Sequence, residues 1–314
     1  MPNRIVVVSR STHATEHDLC LDLVEMAMQD TAMGRPISSD LVGFETDPHP
    51  VSWDDRDVLL YACGVGARPE TDLDFLYEGH GPKVLPTYAV VPGMLAMAAI
   101  LGGGVDIDLM MVLHGEQSIT LHREIPPRAH AAVTGRISEV WDKEKAAVIG
   151  CEGIVADDDG PLFTVKATLF VRGAGGFGGE RGPSTAGRNE PPEREPDHVV
   201  TMDTRPEQAA IYRLSGDRNP MHIDPAFATA AGFDGPFLHG LCTYGFVGRA
   251  VLGTVCDGDP HRFRGFDARF ADRVHCGDTI TTKIWDLGAG EAIVQAEIQT
   301  GAIVLSQARA TFVN

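Results

Sequence analysis

The chain has 314 residues, a formal net charge of −18 and 43% apolar residues. That length suits two ordinary domains or one fused unit with substantial cores, and the acidic balance excludes nucleic acid, whose phosphates require clustered Lys and Arg. No apolar run is long enough to span a membrane, the start lacks the basic-then-apolar order of a signal peptide, and Thr311–Asn314 is no peroxisomal address, so a cytoplasmic protein is expected.

In chain order, Ile5–Val8 reads as a strand and Leu19–Met28 as an amphipathic helix, broken at Gly34-Arg35-Pro36. Residues 1–44 are set apart as an extension, whose role as docking element, loose tail or misplaced start the sequence leaves open. In residues 45–173, Ser52 is expected to cap a helix that reaches Tyr61 and ends in the Gly64–Ala67 turn. Pro92-Gly93 then opens an apolar helix, Met94–Leu101. Alternating strands follow at Ser118–Leu121, Ala131–Val140, Ala146–Val155 and Phe163–Val171.

Residues 174–198 form a linker rich in glycine, proline and charge. A formal G-x-G-x-x-G runs from Gly173 to Gly178, but Pro183 and further small residues follow it where a helix is needed, so dinucleotide binding is rejected. Residues 199–314 repeat the earlier order. Thr204-Arg205-Pro206-Glu207 reads as a capping box opening a helix that stops at Gly216. Asp224 caps a second short helix ended by Gly232, and Gly240 opens a longer apolar one, Leu241–Leu252. Strands are expected at Arg264–Phe270, Thr279–Trp285, Ala292–Gln299 and Ile303–Phe312. Both halves are therefore helices followed by a run of strands, an α+β pattern given as a faint internal repeat.

The chemistry concentrates between Tyr212 and Tyr244. Asp217 and His222 stand five residues apart on a loop stiffened by Pro220, a geometry suited to acid–base work on one water. Asn219 is placed to orient that water or the pair through its amide. Gly240 begins a helix, so its N–H, with the helix dipole behind it, suits a developing oxyanion. Asp224 is a cap alone. His239 reads as a buried, hydrogen-bonded histidine and is grouped with the residues that line the substrate.

The order helix, Gly-Asp-x-Asn-Pro-x-His, Asp-Pro and Pro-x-x-His-Gly resembles the signature of the MaoC-like, type 2 (R-specific) enoyl-CoA hydratases in their two-domain form. Trp53–Ala67, Val84–Tyr88 and Leu113-His114-Gly115-Glu116-Gln117 resemble family landmarks of the first half. The resemblance covers the chain from the mid-forties onward. It implies a double hot-dog fold, each half a curved antiparallel sheet wrapped around a central helix. It also implies Asp217 and His222 as the catalytic pair, Asn219 in support, the Gly240 N–H as oxyanion donor, and reversible hydration of a (2E)-enoyl-CoA to a (3R)-3-hydroxyacyl-CoA. No cofactor or metal is implied, coenzyme A being part of the substrate.

The first copy lacks the pair: Gly64–Ala67 stands where Asp217 would, and Pro92 where His239 would. Its helix is rich in small and flexible residues, and Gly93, Met94 and Met97 are expected to line a pocket for medium, long or bulky acyl tails. A tightly packed helix–sheet contact is the competing reading. Scattered cysteines without C-x-x-C spacing suit reduced thiols, Cys242 among them as a packed core residue. Arg262, Arg264, Arg269 and Arg273, near the strands around the site, are candidates for the coenzyme A phosphates or equally solvated surface charges, and stay unassigned. Dehydration of acyl-carrier-protein thioesters, thioester hydrolysis and non-catalytic acyl-CoA binding are the alternative activities, and pairing of two chains is left open.

Overall fold

The computed structural model describes residues 35–102, 105–108 and 111–313. The strand and helix expected before residue 35 lie outside them. Ten strands form one antiparallel sheet: β1 (His49–Trp53), β2 (Val112–Leu121), β3 (Ala129–Asp142), β4 (Ala146–Asp157), β5 (Gly160–Arg172), β6 (His198–Asp203), β7 (Phe263–Phe270), β8 (Thr279–Gly288), β9 (Glu291–Ile298) and β10 (Ile303–Phe312). Their spatial order is β1-β3-β4-β5-β2-β7-β10-β9-β8-β6. Each half thus threads five strands in the same order. The seam is the β2–β7 pair, where Glu116 faces Arg269 and Thr120 faces Gly265.

The helices are α1 (Asp55–Gly64), α2 (Pro69–Asp72), α3 (Val90–Gly102), α4 (Gln208–Tyr212), α5 (Pro225–Ala230) and α6 (Gly240–Thr254). α3 packs on β3, β4 and β5, and α6 on β6, β7, β8 and β10. Each half is a hot-dog unit, and the chain is a double one. The eight expected strands are all present, each longer than or close to its expected span, and β1 and β6 are additional edge strands.

The two halves share one core. Eleven residues of α6 from Leu241 to Leu252 are buried, and a single apolar cluster runs from Trp53 to Phe312. Close approach is set by glycine: a methyl at Gly245 would stand 2.3 Å from Val65, and one at Gly248 2.4 Å from Thr87. These notches let the central helix of the second half lie against the first. Arg249, on the same helix, reaches Asp72 at 2.6 Å and the Val65 carbonyl at 3.1 Å, in a nearly buried ion pair.

Several local expectations are corrected. Asp54, and not Ser52, caps α1, in a reciprocal box with Asp57; Ser52 belongs to β1. Thr204 and Glu207 form no capping box. The Thr204 hydroxyl instead donates to the Asp278 carbonyl and accepts from the Gly277 N–H, and α4 starts only at Gln208. α3 begins at Val90, so Pro92 and Gly93 lie within its first turn. The extension is packed where it is described: Ile37 and Leu41 are buried, and Phe44 pairs its backbone with Ile137.

The linker carries no helix or strand, yet it is pinned. The N–H groups of Gly176 and Gly178 both donate to the Asp142 carboxylate at 2.8 Å. The glycine-rich run is thus an anion nest filled by the protein's own carboxylate, which those hydrogen bonds hold below the usual carboxylate range. Further on, Arg188 pairs with Glu116 and the Asn189 amide donates to the Gln307 carbonyl, binding the linker across the seam.

Candidate active site

α4 runs into a 3-10 turn, Arg213–Ser215, closed by Gly216 at φ 130°, a conformation that disfavours any side chain. The reversal delivers Asp217 into the loop. The Asn219 N–H donates to Asp217 Oδ1 at 3.1 Å, and the Asn219 side-chain oxygen caps the turn Pro220–His222 through the Met221 N–H. Asn219 therefore holds the pair's spacing by its backbone and by capping. Asp224 accepts from the Ala226 and Phe227 N–H groups and is a cap, as its sequence position implies.

His222 is fixed in one tautomer. Its Nδ1 lies 2.9 Å from the Phe237 carbonyl, and a carbonyl only accepts, so Nδ1 carries the proton and Nε2 keeps its lone pair. His239 is fixed in the opposite sense: its Nε2–H donates to the Asp217 carbonyl at 3.1 Å. The two rings stack with centroids 3.9 Å apart at 32°. One ligand-type atom from each of Asp217, His222 and His239 lies within 4.8 Å of the others, the one such cluster among the described residues.

Gly240 is the first residue of α6, with His239 as its cap. Its N–H belongs to the first turn, where amides have no intrahelical acceptor. The ring of Phe270 stands 3.2 Å from where a Gly240 side chain would begin. A cleft of about 280 Å³ opens against His222, Ala209, Ala210, Pro236 and Cys276.

Gly93, Met94 and Met97 do line a cavity, between α3 and the sheet, with Val165, Cys151 and His114. Its volume is about 20 Å³, room for a single water and not for an alkyl chain. Cys242 is fully buried, its thiol pushed up by burial and donating to the Gly64 carbonyl. The described cysteines are free.

The MaoC like domain family matches residues 188–307, and the MFE-2 hydratase 2 N-terminal domain family matches residues 51–173. The chain is 41% identical over 281 residues to the enoyl-CoA hydratase ChsH3 of Mycobacterium tuberculosis, covering 86% of this chain and 97% of that one. It is 42% identical over 270 residues to the 3-hydroxyacyl-thioester dehydratase Y of the same organism, covering 83% and 92%. A solved MaoC-like dehydratase from Phytophthora capsici superimposes with a TM-score of 0.77 at 30% identity, covering 88% and 98%. The chain belongs to the two-domain MaoC-like hydratase 2 family.

Within this MaoC-like protein the sequence left two residues without a role. His114 was marked only as part of a landmark, and the structure gives the landmark a cause. β2 slips register against β5 between His114 and Glu116, and Gly115, 3.2 Å from the Thr168 carbonyl at its would-be side chain, forms the bulge. Such bulges re-aim side chains. His114 turns into the α3 cavity and packs edge-on against Phe270 with centroids 5.0 Å apart. Burial pushes it down to about 4. Phe270 in turn covers Gly240, so the first half reaches the second through this pair of rings. No spacing rule reveals that, since His114 and Phe270 meet only by strand pairing across the seam. Among the four arginines, Arg273 lies over Phe233 and Phe237 and pairs with Asp234, beside the site.

Proposed function

We propose that this enzyme is an R-specific 2-enoyl-CoA hydratase. The observation that carries the reading is the free His222 Nε2 lone pair beside the Asp217 carboxylate, with the helix-start amide of Gly240 nearby. A water between Asp217 and His222 bonds through oxygen to C3 as its proton passes to the pair. The C2–C3 double bond becomes an enolate, whose thioester oxygen takes the Gly240 N–H. Such a donor typically lowers a barrier by about 3 kcal/mol. C2 then takes a proton from the same pair. Both parts of water add to one face, and no cofactor enters.

The cleft beside His222 suits the pantetheine arm, and the α3 cavity suits the acyl tail. In its present form the tail pocket is closed, so a medium or long chain enters only as Met94 and Met97 swing aside, which unbranched side chains do readily. Dehydration in the reverse direction is the second reading, supported by the likeness to a 3-hydroxyacyl-thioester dehydratase.

The test is loss of the enoyl-thioester absorbance with crotonyl-CoA and with 2-decenoyl-CoA, coupled to an R-specific 3-hydroxyacyl-CoA dehydrogenase. A coupled signal is expected with both. Product detected only by an S-specific dehydrogenase rejects the stereochemistry, and thiol release from a saturated acyl-CoA replaces hydration with hydrolysis. A higher rate on the acyl-carrier-protein thioester makes the carrier protein the partner.

A further inference from the structure

His239 touches every part of the proposed machinery. Its Nε2–H holds the Asp217 carbonyl at 3.1 Å. Its ring lies on His222, with centroids 3.9 Å apart, and packs on the other side near Tyr212, centroids 5.0 Å apart. It is also the cap residue of α6, so its backbone fixes where the Gly240 N–H points. It is 1% exposed and does not line the cleft that opens on His222. We propose that His239 is the positioning residue of this site, locking Asp217, His222 and the Gly240 amide into one rigid unit without touching the substrate. The inference rests on the hydratase reading for its chemistry but not for its geometry.

Neutrality is required of such a residue. The groups facing His239 are Asp217, His222 and Arg213. Burial, together with the neighbouring His222, pushes it down to about 4, so the ring is uncharged wherever His222 works as a base. A charged ring there would oppose the imidazolium that His222 becomes on accepting a proton. With Nε2–H given to the Asp217 carbonyl, Nδ1 keeps a lone pair that has no partner among the described residues. A proton on Nδ1 would make a buried cation beside Arg213, so the single tautomer is enforced.

Two substitutions separate the contacts. His239→Gln keeps a donor near the Nε2 position and loses the ring; His239→Phe keeps the ring and loses the donor. With crotonyl-CoA each is expected to lower kcat by about 10- to 100-fold, as small misplacements of reacting groups do, and to leave KM within about twofold. Independently of turnover, the ring nitrogens of His222 followed by 1H–15N NMR report its tautomer. The Nδ1–H signature is expected to persist in His239→Phe and to give way to averaged nitrogens in His239→Gln. A raised KM at unchanged kcat in both variants would put His239 against the substrate and overturn the proposal. So would His222 nitrogen signals that match wild type in both. Wild-type protein inert toward enoyl thioesters defeats the hydratase reading alone, since the NMR arm still judges the positioning role. Circular dichroism and melting confirm folding, and His239→Phe, an apolar ring in a buried site, guards against a polar cavity.

Discussion

Gly93→Ala tests the acyl pocket most directly. A methyl at Gly93 would stand 2.6 and 2.7 Å from the two Val165 methyls and 3.1 Å from its Cβ. Ordinary carbon contacts are about 3.5–4.0 Å, so α3 and β5 must separate by roughly 1 Å, and the 20 Å³ beside them is too little slack. Overpacking of this kind costs about 1–3 kcal/mol, and the better helix propensity of alanine returns about 1 kcal/mol. The variant should therefore fold, with Tm lowered by at most a few degrees. Its effect on turnover should be selective. Denying a tail two methylenes of contact costs about 1.6 kcal/mol, at about 0.8 kcal/mol each, or roughly fifteenfold in kcat/KM. Rates with 2-decenoyl-CoA should fall by that factor relative to crotonyl-CoA, and Gly93→Ala/Val165→Ala should restore the ratio. A decenoyl-to-crotonyl ratio within twofold of wild type in Gly93→Ala would refute the pocket, leaving α3 on β5 as a packing contact only.

Asp217→Asn and His222→Ala should each lower kcat by about 10²–10⁴-fold with the melting curve unchanged; near-normal rates in either would remove the pair from the mechanism. Asp72→Asn leaves Arg249 buried without its counter-charge and should cost about 3–5 kcal/mol in denaturant unfolding, whereas Asp72→Asn/Arg249→Met should recover much of it. The pH dependence follows from His114. Burial lowers its folded pKa from 6.5 to about 4, so between those values the unfolded chain binds the extra proton and stability falls as pH falls. Allowing for partial exposure, the loss by pH 4 should be about 2 kcal/mol smaller in His114→Gln than in wild type. An equal loss of urea-unfolding free energy in wild type and His114→Gln between pH 7 and pH 4 would overturn this reading.

The site was legible because its signals are local. Proline, the glycine at 216 and the Asp224 cap fix a short loop whatever surrounds it, so Asp217 and His222 meet by chain geometry alone, and Gly240 follows from a helix start. Strand periodicity likewise located all eight strands, seven within a few residues of their ends and β2 short of its first six residues. The misses are where a long-range partner outcompeted a local one. Thr204 spends its hydroxyl on residues 277 and 278 and caps nothing. β1 and β6 are edge strands whose sequences, HPVSW and HVVTMD, do not alternate apolar with polar residues, and they are made strands by pairing with β3 and β8.

By itself, then, the sequence determined the residue set of the Asp217–His222 loop, the two-copy order of helices and strands, and the absence of such a pair at the matching place of the first copy. Only the tertiary structure decided which His222 nitrogen carries the proton, because that depends on a carbonyl fifteen residues away. It also decided that His239 packs on His222, and that the first half reaches the site through His114 and Phe270. Periodicity and capping act over a turn of chain, whereas tautomer, ring stacking and pocket volume are set by atoms that only folding brings together.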